Sequence, residues 1–276
     1  MTQATPELRR YEEAAAPRWY TSWRTWAVLL AVVAIYAYGW ELTDVDLVQS
    51  VRDLPNMGRV LAQLVRPNLD PAFLAEITGL MVQTVFLGVI ATSLAVVLAI
   101  PLSFLGARNL MGANRATLAV YTLVRLFFTI VRSIDILIVV ILFVVAMGIG
   151  SAAGVFALAF HNIGVLGKLY AEAIENIDAG PIEAITSTGA NRLQVVWFAV
   201  LPQIVNPFIA LSIYRLDTNV RLAPIIGLVG GGGIGTQLIQ YLGFLQYQDA
   251  SPILIEIIIV VATMDLLSGQ IRKRLA

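Results

Sequence analysis

Apolar residues fall along this chain in long runs rather than in the short alternations of a half-buried strand. About 20 mostly apolar residues cover a hydrocarbon core roughly 30 Å thick, so such runs predict transmembrane helices. About six can be placed. The first, residues 23–40, is short but edged by Trp19, Tyr20, Trp23 and Trp26 on one side and by Tyr36, Tyr38 and Trp40 on the other, the aromatic pattern of a membrane interface. A cleaved signal peptide is the alternative for this segment. The long stretch before it, with Glu7, Glu12 and Glu13, and the poor cleavage sequence Ala37-Tyr38-Gly39 favour an uncleaved span. The second span is expected over 80–105, with Pro101 near its end. The third lies within 118–147, a continuous run that holds Arg125, Arg132 and Asp135; its lipid-facing part is placed in the later half, and Gly148-Ile149-Gly150 ends it. The fourth is expected over 154–170, the fifth over 207–228 and the sixth over 252–268, with irregularity at Pro224 and the glycine run after it.

Composition agrees with lipid as the solvent. The chain has 276 residues, 58% of them hydrophobic and 13% charged, with a mean hydropathy of +0.81, whereas a soluble domain carries about 25% charge. The predicted class is an all-α polytopic membrane protein. Formal net charge is zero, and no clustered basic surface is visible, so nucleic acid is not an expected partner. Without a cysteine there is no disulfide, thiolate metal site or Cys nucleophile.

Lys and Arg in short loops set orientation. Arg9, Arg10, Arg18 and Arg24 precede the first span, Arg108 and Arg115 follow the second, Lys168 and Arg192 follow the fourth, and Arg272, Lys273 and Arg274 close the chain. An even number of spans puts these on one side, so both termini are expected to be cytoplasmic. In the external loop, 41–79, Arg52, Arg59 and Arg66 are outweighed by Glu41, Asp44, Asp46, Asp53, Asp70 and Glu76. Its helical runs over 47–65 are expected on the membrane surface. Residues 1–79 thus form a cytoplasmic segment, first span and external loop, and residues 80–276 one transmembrane domain.

The cytoplasmic loop 168–202 is too polar to span. Residues 171–177 extend the fourth span as an amphipathic helix, and Gly180-Pro181 is expected to break it. Glu183 would then sit in the first turn of the next helix, where its charge suits the dipole. Gly189 permits a tight turn, and an apolar helix over 193–201 is expected to stop at Pro202.

Glu183-Ala184-Ile185-Thr186-Ser187-Thr188-Gly189, with Leu201-Pro202 placing its proline thirteen residues past the glycine, resembles the EAA loop of ABC importer permeases. Ile185 stands where a small residue is usual, and Ala199 where an Ile is usual. A well-capped hairpin without a partner would explain Glu183, Gly180 and Pro181 but not the full spacing. Further segments resemble phosphonate importer permeases from about residue 80 to the end: residues 162–169 and 173–178, Gly189-Ala190, Leu201-Pro202-Gln203, Tyr214-Arg215, Asn219-Val220-Arg221 and Gly227-Leu228-Val229-Gly230. Arg132-Ser133-Ile134 is similar to the start of a gate helix in the wider family, with Asp135 replacing a frequent proline.

The resemblance implies a type I importer core like that of the methionine-importer permease, with one extra N-terminal span, in a bacterial plasma membrane. It implies that Glu183, Ala184, Gly189, Ala190, Leu201 and Pro202 belong to a coupling loop seated on a cytoplasmic ABC ATPase dimer. That partner would bind ATP and Mg, leaving no cofactor to this chain. The other implied partners are a second permease copy or paralogue and an external substrate-binding protein. Cargo would be phosphonate or a related oxyanion, phosphate or phosphite, moved by alternating access.

Within the fifth span Arg215, Asp217, Asn219 and Arg221 must face protein or water, because a charge at mid-bilayer costs about 2.5–3.5 kcal/mol. Asp217 and Arg221 share one helix face, Arg215 and Asn219 another. Two readings stand: Arg215, Asn219 and Arg221 line an anion path, which suits the fork of a guanidinium, or the arginines pin the span to its neighbours. His161, without ligand partners, reads as a hydrogen-bonded packing residue. Arg132 and Asp135 are spaced to pair, and Glu256, Asp265 and Gln270 to bond between helices. Gly230, Gly231, Gly232 and Gly233 satisfy a dinucleotide-binding pattern by letter but follow a membrane helix, so they are read as a close-approach turn and candidate external gate. A secondary transporter or channel without an ATPase is the rival; it would carry paired intramembrane acids or inverted repeats, and neither is clear. An intramembrane enzyme would need a nucleophile–base or metal constellation, which the sequence lacks.

Overall fold

The structure is a computed structural model that describes residues 23–275 apart from Val45 and Ala113. The arginines, acids and aromatics noted before residue 23 lie outside the described residues. Two compact units divide between Arg59 and Val60, whereas the sequence reading drew its boundary at residue 80. Helix α1 (Trp23–Leu42) and helix α2 (Leu47–Arg52) belong to the first unit, and α3 (Leu54–Leu64) crosses the division. The 47–65 run is therefore two helices.

The second unit continues with α4 (Pro71–Leu105), α5 (Arg108–Met111), α6 (Arg115–Ser133), α7 (Ile136–Met147) and α8 (Ser151–Glu175). After these come α9 (Ala179–Ser187), α10 (Arg192–Val195), a wide π-helical turn Val196–Val200, α11 (Leu201–Leu228), α12 (Ile234–Gly243) and α13 (Tyr247–Leu275). No strand occurs among the described residues. Six helical stretches are long and apolar enough to cross a membrane: Thr25–Leu42, Pro71–Leu105, Arg115–Ser133, Ser151–Glu175, Leu193–Leu228 and Tyr247–Lys273. The chain is an all-α, multi-pass membrane protein.

Helix α8 is the axis of the second unit. Along it α6 and α7 run antiparallel in one line: Arg125 meets Glu172 and Glu175, Phe128 lies against Gly167, Val131 against Gly164, and Val139 and Val140 pack with Ala157 and Leu158. The third span is thus a single crossing broken at Ile134-Asp135. A Cβ on Gly167 would lie 2.4 Å from the Phe128 ring, so the missing side chain sets this close approach. The lipid-facing part is not confined to the later half, because Leu118, Leu123, Leu126 and Ile130 of α6 are exposed along with Ile138, Leu142 and Val145 of α7. Arg132 and Asp135 form no ion pair; Asp135 instead caps α7, its Oδ1 accepting from Leu137 N at 2.8 Å.

Other boundaries shift for local reasons. Asp70 caps α4 and starts it at Pro71 rather than near 80. Pro202 does not stop the fifth span, which continues to Leu228 with Pro207 and Pro224 inside it. A proline ring clashes with the carbonyl four residues back and brings no N–H. The wide turn before Pro202 absorbs the misfit, with Leu201 N bonding to Val196 O five residues earlier.

Three apolar clusters hold the unit. One joins Ala95 and Ala99 to Tyr170, Ile204 and Phe208; another joins Leu87 and Ala91 to Val140, Leu158, Ala223 and Ile226; the last joins Ile77 and Met81 to Ile234, Leu238 and Ile253. In lipid these contacts work by close packing and interhelical hydrogen bonds rather than by water expulsion. Tyr170 stacks on Phe208 at 4.0 Å, its hydroxyl 2.5 Å from Ser212 Oγ.

The helices share two ends. At one, Asn68 bonds Gln248 and Asp249, Gln83 bonds Ser151, and Gly150 N donates to Gly230 O. At the other lie the α4–α6 connection, the α8–α11 hairpin and the end of α13, and here the chain carries Arg108, Arg115, Lys168, Arg192, Arg272, Lys273 and Arg274.

Candidate functional site

The α8–α11 hairpin at the basic end begins where Asn176 caps α8 and a new helix starts at Ala179. The break therefore precedes Gly180-Pro181, and the cap is Asp178, whose Oδ1 accepts from Gly180 N at 3.1 Å. Glu183 lies past the first turn and is exposed, so it does no capping; this corrects the sequence expectation. Ala184 is exposed too, while Ile182 reaches the core cluster formed by Tyr170 and Ile204. Gly189 closes the helix with a φ of +79°, a left-handed turn that strains any residue bearing a Cβ. Ala190 is half-buried and lines an apolar cavity with Phe104, Leu110, Ile182 and Val196.

One side chain ties this helix to the fifth span. Gln203, directly after Leu201-Pro202, accepts from Asp178 N at 2.9 Å and donates to Ala199 O at 2.7 Å. Both legs of the hairpin are thereby stitched at their base. The base is also clamped by charge. Arg125 Nη2 lies 2.5 Å from Glu175 Oε2 and its Nε donates to Gly106 O at 2.8 Å, while Glu175 Oε1 accepts from Arg108 N at 2.7 Å. Glu172 joins at 3.8 Å from both Arg125 and Lys168. Sequence reading missed Asp178, Gln203 and this clamp. Gln203 directly follows Leu201-Pro202, and Arg125 inside an apolar run was the available signal of a buried partner.

The charges of the fifth span separate into two groups. Arg221 pairs with Asp217 at 3.2 Å and with Asp265 of α13 at 3.5 Å. Asn219 is fully buried and donates to Thr92 Oγ1 at 2.7 Å, joining α11 to α4. Arg215 points elsewhere, its Nε donating to Asn162 Oδ1 on α8. His161, next to Asn162, leaves its buried Nδ1 without a partner. Glu256 Oε2 is likewise buried and unpartnered.

Gly230, Gly231, Gly232 and Gly233 form the turn between α11 and the unforeseen helix α12 at the end opposite the hairpin. They lie against the start of α8 and α4: a Cβ on Gly154 would be 2.3 Å from Gly231 O, and Ile234 N donates to Thr84 Oγ1 at 2.8 Å. No group of three or more metal-ligating side chains occurs among the described residues.

Comparison with known proteins fixes the family. Residues 99–276 match the model of the binding-protein-dependent transport system inner membrane component. The chain belongs to that family. This transport component is 41% identical over 218 residues to the phosphate-import permease protein PhnE of Mycolicibacterium smegmatis, covering 79% of the chain but 40% of that relative's length. It is 33% identical to the phosphite transport system permease protein PtxC of Stutzerimonas stutzeri, covering 92% of the chain and 90% of the relative. Among solved structures, the MetNI methionine ABC transporter in inward-facing form is similar with a TM-score of 0.63 and 22% identity, over 72% of this chain and 96% of that one. That likeness concerns the fold. The type I permease fold expected from the resemblance is therefore the fold observed, with α1–α3 preceding the residues that the family model matches.

Proposed function

We propose that this permease is one half of an ATP-driven importer that moves an oxyanion of phosphorus (phosphonate, phosphate or phosphite) into the cell by alternating access. The single observation that carries the reading is the likeness to phosphate and phosphite permeases along most of the chain, joined to an exposed, doubly anchored helix at the basic end. Positive loop charge favours the cytoplasm. That end is therefore the cytoplasmic one, with both termini on its side, in a bacterial plasma membrane.

Here α9 is the coupling helix. Glu183 and Ala184 offer an exposed surface to a groove of an ATPase subunit, Gly189 fixes the turn, and Ala190, Leu201 and Pro202 set the return into α11. A nine-residue helix fastened at both sides acts as a short rod: displaced by ATPase closure, it carries α8 and α11 with it. ATP and Mg belong to that partner. A second permease copy or paralogue completes the pore, and an external binding protein delivers the anion. The Gly230–Gly233 turn, packed on Gly154 and Ser151 at the opposite end, serves as the external gate. Arg215 belongs to the anion path, whereas Arg221, paired with Asp217 and Asp265, and Asn219, whose Nδ2 donates to Thr92, fasten α11.

The test is reconstitution with the ATPase and binding-protein partners in liposomes, measuring ATP-dependent uptake of phosphate, phosphite and methylphosphonate. Copurification with the ATPase, lost when Glu183 and Gly189 are changed together, is the expected result. Uptake without ATP would return the secondary-transporter reading.

A further inference from the structure

A charged pair exposed within the membrane spans needs something other than hydrocarbon in front of it, because lipid solvates charge poorly. Arg221 and Asp265 form such a pair, one in the span Leu193–Leu228 and the other in Tyr247–Lys273. Packing fixes their depth. Val220 lies against Gly88 of α4, about 8 Å further into the bundle than Gln83, which bonds Ser151 at the start of α8. The two charged side chains are nevertheless 53% and 59% exposed and 3.5 Å apart, while Asp217 is buried beside Arg221. Arg221 reaches both acids through Nη2, so its Nη1 and Nε remain free to donate among the described residues.

The pair borders an apolar cleft of about 480 Å³ between α11, α12 and α13, open to the surface and lined by Pro224, Ile225, Leu238, Leu254, Ile258 and Val261. Ile258, Ala262, Asp265 and Gly269 share one face of α13 by their spacing. Ile258 and Ala262 are exposed on it, and a Cβ on Gly269 would meet nothing within 4 Å, so another helix can come close. Hydrocarbon would fill the cleft but leave the ions unsolvated. The first span offers no better partner, since it carries no charge between Arg24 and Glu41. An oxyanion would be repelled, because Asp217, Arg221 and Asp265 together carry a net charge of −1. A face that exposes both a cation and an acid is complementary to itself, as the shared surface of a two-fold dimer has to be.

We propose that this face of α11 and α13 is the surface on which a second copy of this chain packs, with Arg221 of each copy bonding Asp265 of the other. The inference rests on the two-half reading of the importer and names the surface that joins the halves. The free Nη1 and Nε of Arg221 supply the donors across the two-fold axis, and a guanidinium with several N–H groups serves acids on both sides at once. The apolar side chains around Ile258 of one copy fill the cleft of the other. Cargo is left to the Arg215 side of α11, which this contact does not cover with acid.

The test uses the complete transporter. Because the chain has no cysteine, Ile258→Cys introduces a unique thiol in this subunit. In proteoliposomes a bifunctional methanethiosulfonate should join two copies through it, whereas Leu123→Cys, comparably exposed on α6, should give no such product. Asp265→Lys should lower the share of complexes with two permease copies about tenfold or more in native mass spectrometry, the usual effect of losing a charge-assisted bond. Co-expressed Arg221→Glu chains should restore it, since the exchanged charges then meet only between copies. No cross-link at 258 in a complex that holds two permeases overturns the face, as does an equal yield at 123. Undiminished assembly of Asp265→Lys overturns it too, as does a mixed complex no more abundant than that of Asp265→Lys alone. Ile258 is exposed, so the cross-linking arm stands even where a charge variant fails to fold. A cross-link from 258 to a different permease overturns the second copy and leaves the two-half reading standing, whereas a transporting complex with a single permease overturns that reading as well.

Discussion

Replacing Glu175 by Gln removes one charge from the clamp that joins α4, α5, α6 and α8 beside helix α9. The Arg125 and Glu175 side chains are 18% and 25% exposed, so the pair is neither a surface ion pair, worth about 0–1 kcal/mol, nor a fully buried one, whose breaking costs about 3–5 kcal/mol. The amide oxygen of the new side chain would still accept from Arg108 N, while Arg125 would keep Gly106 O and the longer contact to Glu172 at 3.8 Å. What is lost is one short charge-assisted bond, so about 2 kcal/mol is expected. For a domain of this size that is roughly 4–8 °C in the thermal midpoint, measurable by intrinsic fluorescence of the detergent-solubilised permease. Arg125→Gln should cost at least as much, since it also abandons Gly106 O. The double variant should recover about 1–2 kcal/mol relative to the sum of the single effects. A midpoint unchanged within about 1 °C, or strict additivity, would refute the clamp as a stabilising unit.

Three further outcomes follow from the same contacts. Gln203→Ala removes the stitch between Asp178 and α11, so uptake per ATP hydrolysed should fall while the ATPase still copurifies; unchanged stoichiometry would show that force reaches α11 by another route. Gly154→Ala drives a Cβ to 2.3 Å from Gly231 O, a backbone atom that cannot rotate away; an overpacking cost of about 1–3 kcal/mol should appear as a lowered thermal midpoint. At Gly189, where φ is +79°, Asn should be tolerated better than Val, with about 1 kcal/mol or more separating them, read as the fraction of complex retaining its ATPase.

Lipid-crossing segments were legible in the sequence because their cause is local. A run of apolar side chains crosses a membrane whatever its neighbours are, so six spans could be placed from composition and aromatic edges. Turns were legible for the same reason where one residue decides them, as at Gly189. Within a helix the sequence was misleading about prolines: Pro202 and Pro207 read as boundaries, but a wide turn absorbs the misfit at Pro202 and the helix runs on through Pro207, while Val200 and Ile204 beside that turn share a core cluster with Tyr170. Capping was misassigned too, since Asp178 rather than Glu183 caps α9 and Asp135 caps α7 instead of pairing with Arg132.

The EAA-like spacing and the likeness to phosphonate permeases were visible as an ordered string, and they marked the hairpin without showing what anchors it. Partners more than a few residues apart were beyond reach. Arg215 with Asn162, Asn219 with Thr92, Arg221 with Asp265 and Arg125 with Glu175 join residues separated by 44 to 127 positions. Sequence by itself determined which residues had to avoid lipid, because the cost of a buried charge depends on the residue alone. Tertiary structure decided which of them are already satisfied and which still have donors to give, because that depends on which helix faces which.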